Sequence, residues 1–233
     1  MTGYWWLGAK AYLKDRLPPR WVNRDACIDG GAERFADTYA GLDRALNLKA
    51  KPHFDFSYRE RRPRALTPIV QTLLFDKLGP AFLLSAEFAA LITGLDAAAL
   101  NQSPCDVTRH GRPSGDYVFA DVAHAFDGRD AFERAISDIV YQVGFAHDDG
   151  RRSHAIEVSG AVRFVPETVG ARDLFWVNLG WSGARLAVSD RLAEAIFARG
   201  LLGLMLEDAT GTRRSPPRFQ PYTFDGWEDL HPA

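Results

Sequence analysis

The tightest group of histidine and carboxylate side chains lies between residues 147 and 154. The run 147–149 reads His-Asp-Asp, and His154 follows in the same loop. Imidazole nitrogens and carboxylate oxygens are common ligands of divalent metal ions, so this group could hold one. The loop also carries Arg151 and Arg152, and cationic neighbours oppose the capture of a cation. We therefore expect no metal site and no cofactor.

Three side chains are candidate nucleophiles. Cys105 would need the fold to bring a histidine such as His110 to it, whereas Ser85 and Ser189 each follow a short apolar run. Hydrolases often place a nucleophile at a strand-to-helix turn, but a serine there also caps the helix by accepting from its free N–H groups. The sequence contains no phosphate loop, dinucleotide fingerprint, nucleophile elbow or HExxH motif. We expect no catalytic residue; a small hydrolase that uses Cys105 or a serine with a histidine is an alternative.

Carboxylates concentrate in two parts of the chain, and the second part interleaves them with aromatic residues. Carboxylates beside exposed aromatic side chains suit a surface that meets a basic protein partner and speeds association. An ordinary solvated surface is the alternative interpretation. The candidate partner-binding residues are Asp121, Asp127, Asp130, Glu133, Asp138, Asp225, Trp227, Glu228 and Asp229.

A basic cluster occupies residues 59–64, which contain four arginines together with Glu60 and Pro63. The planar guanidinium group can grip phosphate, which would suit a nucleic-acid-binding regulator as a second alternative. The interrupting glutamate and proline are more typical of a solvated loop. The formal net charge of −2 adds no general attraction to nucleic acid. We therefore expect no nucleic-acid partner.

The elements that would position these groups are clearest in residues 173–208. An apolar run at 174–179 is followed by Gly180 and by a second apolar run at 186–188. Ser189 is a good N-cap, and the apolar spacing after it fits one face of a helix. Gly200 can adopt the left-handed conformation that ends a helix. The pattern predicts strand, turn, strand, capped helix and strand.

A second unit with the same order lies at residues 81–95. Its apolar run ends at Ser85, and the apolar residues at 88 and 92 repeat the spacing of Leu192 and Ile196. Both units predict a buried strand that passes through a serine cap into a short amphipathic helix. They suggest a strand–Ser–helix pseudo-repeat.

The order of the other elements is mixed. Thr67 followed by Pro68 predicts a helix at 67–78. Residues 117–126 alternate as a strand, and residues 130–140 have helical spacing. Strands and helices without a regular βαβ rhythm indicate an α+β fold, with mixed or antiparallel sheets and short capped helices.

One stretch is a candidate boundary between two lobes. Residues 101–116 are rich in proline, glycine and serine and poor in apolar residues. They suggest an N-terminal lobe at 1–105, a C-terminal lobe at 115–208 and a proline-rich tail at 209–233. One continuous domain is the alternative, because 233 residues can form a single large core.

Composition and cysteine usage favour a cytoplasmic globular protein. The chain is 46% hydrophobic and 25% charged, as ordinary globular domains are. Cys27 and Cys105 lie far apart, which fits a reducing compartment better than a disulfide framework. No signal peptide is recognisable, and no apolar stretch approaches the roughly 20 residues that span a bilayer. We expect no membrane partner.

Several short motifs resemble a known family. Residues 188–192 read Val-Ser-Asp-Arg-Leu, and the pairs Gly-Leu at 200–201 and 203–204 follow. The strand–Ser–helix segment at 79–92 and the strand Tyr-Val-Phe-Ala-Asp-Val at 117–122 complete the pattern, although Ala120 and Asp121 differ from the residues that are usual in this motif. Together these motifs resemble the bacterial immunity protein eleven family over residues 66–208.

The resemblance implies a binding protein without chemistry of its own. Proteins of this kind are thought to be encoded beside polymorphic toxins, which are often delivered by contact-dependent secretion. They neutralise the cognate toxin in the cytoplasm, and a 1:1 complex that occludes the toxin is the simplest form. The matching residues are scaffold residues, so the toxin, the contact surface and the oligomeric state stay open.

Overall fold

Strands and short helices alternate irregularly along the chain. The computed structural model describes residues 3–9, 20–27, 48–55, 69–71, 81–109, 111–113, 115–146, 152–180, 182–201 and 204–211. Its strands are β1 (Tyr4–Ala9), β2 (Arg20–Trp21), β3 (His53–Asp55), β4 (Ile69–Gln71), β5 (Ala81–Ser85), β6 (Leu100–Pro104), β7 (Asp106–Arg109), β8 (Arg112–Pro113), β9 (Tyr117–Val122), β10 (Ala125–Asp127), β11 (Ile139–Ala146), β12 (Arg152–Val158), β13 (Leu174–Asn178), β14 (Ala184–Ser189) and β15 (Leu204–Asp208). Its helices are α1 (Arg24–Cys27), α2 (Ala86–Leu95), α3 (Gly128–Ala131), α4 (Pro166–Val169) and α5 (Asp190–Ala198).

Strand β1 lies inside a five-stranded sheet whose order is β10-β13-β14-β1-β15. It pairs antiparallel with both neighbours, so that Trp5 lies opposite Val188 on one side and Asp208 on the other. Consecutive residues of a strand point to opposite faces, and here both faces are covered. Trp5 packs in one apolar cluster and Trp6 in another. The aromatic residues that open the chain are therefore core residues.

The unit predicted at residues 173–208 is confirmed. β13 and β14 form an antiparallel pair with Gly180 (φ 69°) in the turn between them. A Cβ at this position would collide with the carbonyl oxygen of His154, so only glycine fits. Helix α5 begins after Ser189, whose Oγ accepts from the Leu192 N–H at 3.2 Å. Gly200 (φ 64°) lies just beyond the end of the helix.

The unit at residues 81–95 has the same local construction. β5 passes into α2 at Ser85, whose Oγ accepts from the Phe88 N–H at 3.2 Å. β5 belongs to a second sheet, whose order is β4-β5-β9-β6. Helices α2 and α5 contact each other, and Ile92 and Ile196 belong to the same apolar cluster. The two strand–Ser–helix units thus meet in one core.

The residue that opens α5 also fixes the start of the chain. The Asp190 carboxylate accepts from the Gly3 N–H at 3.0 Å and from the indole N–H of Trp5 at 2.9 Å. A Cβ on Gly3 would lie 2.6 Å from Oδ2 of Asp190, so the approach is too close for a side chain. These contacts anchor β1 at the N-terminus of α5, where a carboxylate is also favoured by the helix dipole.

Ser189 and Arg191 share the buried carboxylate of Asp173. Ser189 Oγ donates to Asp173 Oδ1 at 2.5 Å, and the Arg191 guanidinium donates to both carboxylate oxygens. Arg191 also donates to the Leu95 carbonyl oxygen at the end of α2, at 3.2 Å. Burial by itself raises the pKa of Asp173, but the hydrogen bonds from Arg191 and Ser189 hold that pKa below its usual value. We refer to Asp173, Ser189, Asp190 and Arg191 as the junction.

Two further sheets complete the described part of the fold. One has the order β2-β3-β7-β8 and buries Phe54 and Val107 against Phe119 of β9. The other is the hairpin of β11 and β12. An isolated bridge between Ala155 and Gly180 attaches β12 to the turn between β13 and β14.

Two predictions of local structure are wrong. Residues 69–71, inside the helix predicted at 67–78, form β4 and pair with β5; the rest of that segment lies outside the described residues. Residues 130–140, whose spacing suggested a helix, contain the end of α3, a turn and the start of β11. In each case pairing with a strand that is distant in sequence outweighs a weak local preference for helix.

The predicted α+β class is confirmed. Short helices accompany mostly antiparallel sheets, with parallel pairing between β3 and β7 and between β10 and β13. β1 pairs within the sheet that contains β13, β14 and β15, and β9 pairs with both β5 and β6. Each of these two sheets therefore contains strands from both proposed lobes. The division into two lobes and a tail stays a prediction, and this arrangement favours one continuous domain. No described helix is long and apolar enough to cross a bilayer.

Candidate functional site

Four of the predicted partner-binding residues come together around α3 and the start of β11. Asp127 is the N-cap of α3, Asp130 lies in its first turn, and Glu133 and Asp138 lie at the two ends of the turn that leads to β11. The Tyr141 hydroxyl donates to the Gly128 carbonyl oxygen at 3.4 Å and holds β11 against α3. We refer to Asp127, Asp130, Glu133 and Asp138 as the acidic surface.

Backbone hydrogen bonds hold the turn of the acidic surface in place. The Glu133 N–H donates to the Arg163 carbonyl oxygen and the Asp138 N–H to the Ala161 carbonyl oxygen, both at 2.8 Å. The Asp138 carboxylate in turn accepts from the Ala161 N–H at 3.1 Å. A Cβ on Gly160 would lie 2.6 Å from Asp138 Oδ2. Asp138 therefore helps to fix the neighbouring chain as well as contributing charge.

Arginine side chains neutralise part of the acidic surface. Arg129 donates to Asp127 from its backbone N–H at 2.8 Å and from its guanidinium at 3.0 and 2.6 Å. Burial raises the pKa of Asp127, but these hydrogen bonds hold it below its usual value. Glu133 lies 3.8 Å from Arg163. The Asp130 side chain is exposed and accepts no hydrogen bond within the described part of the chain, although its charge interacts with the nearby Arg129.

Asp121 does not belong to this surface. It lies in β9 between β5 and β6, where its side chain is only 1% exposed. A partner cannot reach a carboxylate that two flanking strands and the core enclose, so we remove Asp121 from the candidate contact residues. The remaining candidates, Asp225, Trp227, Glu228 and Asp229, lie outside the described residues.

Exposed apolar residues adjoin the acidic surface, and the sequence alone does not mark them as exposed. Ile136 is 52% exposed, Val140 is 50% exposed and Val143 is 69% exposed. Ile136 and Val140 belong to the helical spacing predicted at 130–140, and periodicity alone does not distinguish a core face from a contact face. Apolar side chains within a polar rim are typical of protein-binding surfaces.

A cavity of about 500 Å³ lies between residues 123–126 and 167–172. His124 lines it, with Nε2 at 3.7 Å from the Asp96 carboxylate. Burial and the nearby Arg172 lower the pKa of His124, and Asp96 opposes them only in part. The imidazole is therefore neutral at pH 7. The lining holds a histidine, but neither Cys105, Ser85 nor Ser189 is part of it.

The match to known families decides what kind of protein this is. The model of the immunity protein family Imm11 matches residues 9–211. The chain belongs to this family. The match confirms the resemblance seen at residues 66–208 and extends it through the N-terminal region to Ala9, the last residue of β1. No curated protein sequence matches the chain.

In this Imm11 chain the motif that carries the resemblance is part of the scaffold. Ser189 caps α5, and the side chains of residues 189–191 form hydrogen bonds with Gly3, Trp5, Asp173 and Leu95. Their polar groups are therefore already bonded within the molecule. The acidic surface lies on other elements, α3 and the start of β11. The matching motif and the candidate contact residues thus lie on different elements.

The candidate nucleophiles of this Imm11 chain are occupied or protonated. Burial, with Asp106 adding to it, raises the pKa of Cys105 to about 12, so its reactive thiolate is scarce at neutral pH. Ser85 and Ser189 accept hydrogen bonds as helix caps. Within the described ranges no three His, Cys, Asp or Glu side chains are grouped so as to hold a metal ion. His110, the run 147–149 and the arginine cluster at 59–64 lie outside those ranges.

Proposed function

We propose that the chain binds a cognate bacterial toxin and neutralises it by covering its active site or another essential surface, without a reaction of its own. Membership of the immunity protein family Imm11 carries this proposal. We place the encounter in the cytoplasm, because the free thiols of Cys27 and Cys105 suit a reducing compartment.

The proposed contact is the acidic surface together with the exposed apolar residues beside it. Ile136 and Val140 would supply the apolar part of the interface, and Asp130 and Glu133 would supply its charged rim. A carboxylate rim attracts a basic partner and speeds association. We therefore expect the toxin to present a basic face.

The state of the candidate nucleophiles supports a mechanism by occlusion. Cys105 has a pKa of about 12, and the hydroxyls of Ser85 and Ser189 cap helices. Occlusion needs only a stable complex, in which aromatic or apolar anchors are surrounded by a rim that excludes water. A 1:1 complex is the simplest form of such an inhibitor.

The deciding experiment co-expresses the chain with the toxin encoded by the neighbouring gene. Cells that produce the toxin should grow only when this chain is present. The purified chain should form a 1:1 complex with a mutationally inactivated toxin domain, measured by isothermal titration calorimetry. If the toxin kills equally well with and without the chain, the proposal is wrong.

A pair of charge-reversed variants tests the proposed surface separately. Asp130→Lys with Glu133→Lys should weaken toxin binding by roughly tenfold or more, because both carboxylates face the partner. Asp116→Lys with Glu207→Lys makes the same change of charge at exposed positions on other elements and should bind normally. If the wild-type chain protects cells and the two double variants bind equally, the function stands and the surface is misplaced.

A further inference from the structure

Strand β11 is the outer strand of its hairpin. Its partner β12 has a neighbour on each side: β11 pairs with it along residues 139–143, and the turn at 179–180 contacts its other edge. The Ile156 N–H of β12 donates to the Leu179 carbonyl oxygen at 2.9 Å. Among the described residues β11 pairs with no strand other than β12.

The ladder shows which backbone groups of β11 face outward. Because the Ile156 N–H points away from β11, the pair of Ile156 with Tyr141 is of the non-hydrogen-bonded kind. The two kinds of pair alternate along an antiparallel ladder. Val140 and Gln142 therefore bond to β12, whereas Tyr141 and Val143 direct their N–H and C=O groups toward the edge that no other described strand covers. Neither N–H donates to a backbone group in the described ranges.

This edge lacks the usual protection against strand addition. β11 reads Ile-Val-Tyr-Gln-Val-Gly-Phe-Ala over eight residues and contains neither a proline nor a charged side chain. Natural edge strands are commonly protected by such residues or by a bulge, and here the register shift comes only after Val143. Val140 and Val143 are at least half exposed. An edge of this composition is suited to pair with another strand.

We propose that the edge of β11 receives an extended, basic strand of the toxin, which continues the hairpin as a third strand. This inference rests on the proposed function and specifies how the contact is made. Carboxylates flank the edge: Asp138 precedes β11, and the exposed Glu157 pairs with Val140 on the same face. The guanidinium of Arg134 lies 4.7 Å from the ring centre of Tyr141, whose side chain points to the opposite face. Lysine or arginine side chains alternating with apolar ones would complement this arrangement.

The charges also decide between a toxin strand and a second copy of the chain. Pairing β11 with β11 of another copy would bring both sets of flanking carboxylates to one interface, and like charges on neighbouring strands are destabilising. A basic partner gains from the same carboxylates. We therefore assign the edge to the toxin and not to self-association.

Amide hydrogen exchange on the full chain tests the assignment directly. The N–H groups of Tyr141 and Val143 should exchange rapidly in the free protein, whereas that of Gln142, bonded to β12, should be protected. Adding the inactivated toxin domain of the neighbouring gene should slow Tyr141 and Val143 by roughly tenfold or more. Protection of both amides in the free protein would show that the chain itself or a second copy covers the edge, and would overturn the proposal.

Two substitutions at one position separate the backbone contact from the side chain. Val143→Pro removes an outward N–H and leaves the bonds to β12, as proline does on edge strands; Val143→Ala removes the side chain but keeps the N–H. We expect the proline variant to bind the toxin domain roughly tenfold more weakly than the alanine variant. Equal affinities would overturn the proposal, and if the proline variant does not fold, hydrogen exchange of the wild-type complex decides.

The outcomes distinguish this inference from the function on which it rests. If the wild-type chain binds the toxin while Tyr141 and Val143 stay unprotected, the strand addition is wrong and the immunity function stands. If the wild-type chain neither binds the toxin nor protects cells, both are wrong.

Discussion

The junction and the acidic surface are both rich in charge, but their charges have different uses. At the junction, Asp173 is 2% exposed and its oxygens accept from Ser189 and Arg191. On the acidic surface, the Asp130 side chain is exposed and accepts no hydrogen bond within the described residues. A buried carboxylate must be satisfied internally or the fold is destabilised. An exposed one contributes little to stability and is available to a partner.

The comparison shows why clustered charge in a sequence does not by itself mark a binding site. Asp121 belongs to the same run of acidic residues as Asp127 and Asp130, yet β5 and β6 bury it. What distinguishes a structural carboxylate from an available one is burial together with the donors around it. The two regions can therefore be separated by experiments that measure stability and binding independently.

The largest effect on stability should come from Asp173→Ala. It removes the acceptor of Ser189 and Arg191 at a buried position, and we expect it to lower the free energy of unfolding by about 2 to 3 kcal/mol. Urea denaturation measures this loss, with Asp116→Ala as an exposed control. The affinity of the remaining folded protein for the toxin should not change. A loss as small as that of the control would contradict the role of the junction.

Removing the two serine caps should lower the free energy of unfolding by different amounts. Ser85→Ala removes one cap hydrogen bond and should lower the free energy of unfolding by about 1 kcal/mol. Ser189→Ala also removes the donor to buried Asp173, and we expect about 2 kcal/mol. Denaturation of both variants in parallel tests the difference. Equal losses would show that the bond from Ser189 to Asp173 adds nothing measurable.

Stability should fall in acid because of Asp173. Its pKa is lowered by folding from the usual 3.8, so its contribution is complete above that value and is lost as the pH falls through the folded-state pKa. Asp127, whose pKa is also lowered, acts in the same direction. Unfolding measured between about pH 2 and 6 should show a shallower slope for Asp173→Asn than for the wild type. Equal slopes for the variant and the wild type would show that Asp173 does not cause the loss of stability in acid.

The smallest effect on stability should come from Asp130→Asn. We expect a change below about 0.5 kcal/mol, because the side chain is exposed and makes no hydrogen bond to described residues. Its association with the toxin should nevertheless be about two- to fivefold slower and less sensitive to salt. Stopped-flow measurements at low and high ionic strength test this. An unchanged association rate would remove Asp130 from the contact surface.

Local signals made the two strand–Ser–helix units predictable. Each is an apolar run ended by a serine, followed by helical spacing, and Gly200 ends the second helix by a conformation that favours glycine. These signals act within about ten residues, and so neighbouring side chains are sufficient to fix the structure. The α+β class follows from the mixed order of such strands and helices along the chain.

Pairing between distant segments was not predictable in the same way. Residues 69–71 carry a helix start signal before them, but they become β4 because β5 offers a strand to pair with. The exposure of Val140 and Val143 has a similar origin. Their hairpin lies at the edge of the fold, where no other described strand covers β11. A strand's neighbours depend on topology, which a local window of sequence does not contain.

By itself, then, the sequence determined the capped units and the motif at residues 188–192 by which the family is recognised, because caps and apolar spacing act locally. Which charged side chains are paired inside the molecule and which stay exposed to solvent depends on the tertiary structure. It buried Asp121, joined Asp173 to Arg191, and left Asp130 exposed on α3. Those outcomes depend on which distant segments meet, since the dielectric surroundings and hydrogen-bond partners of a carboxylate are set by its neighbours in space.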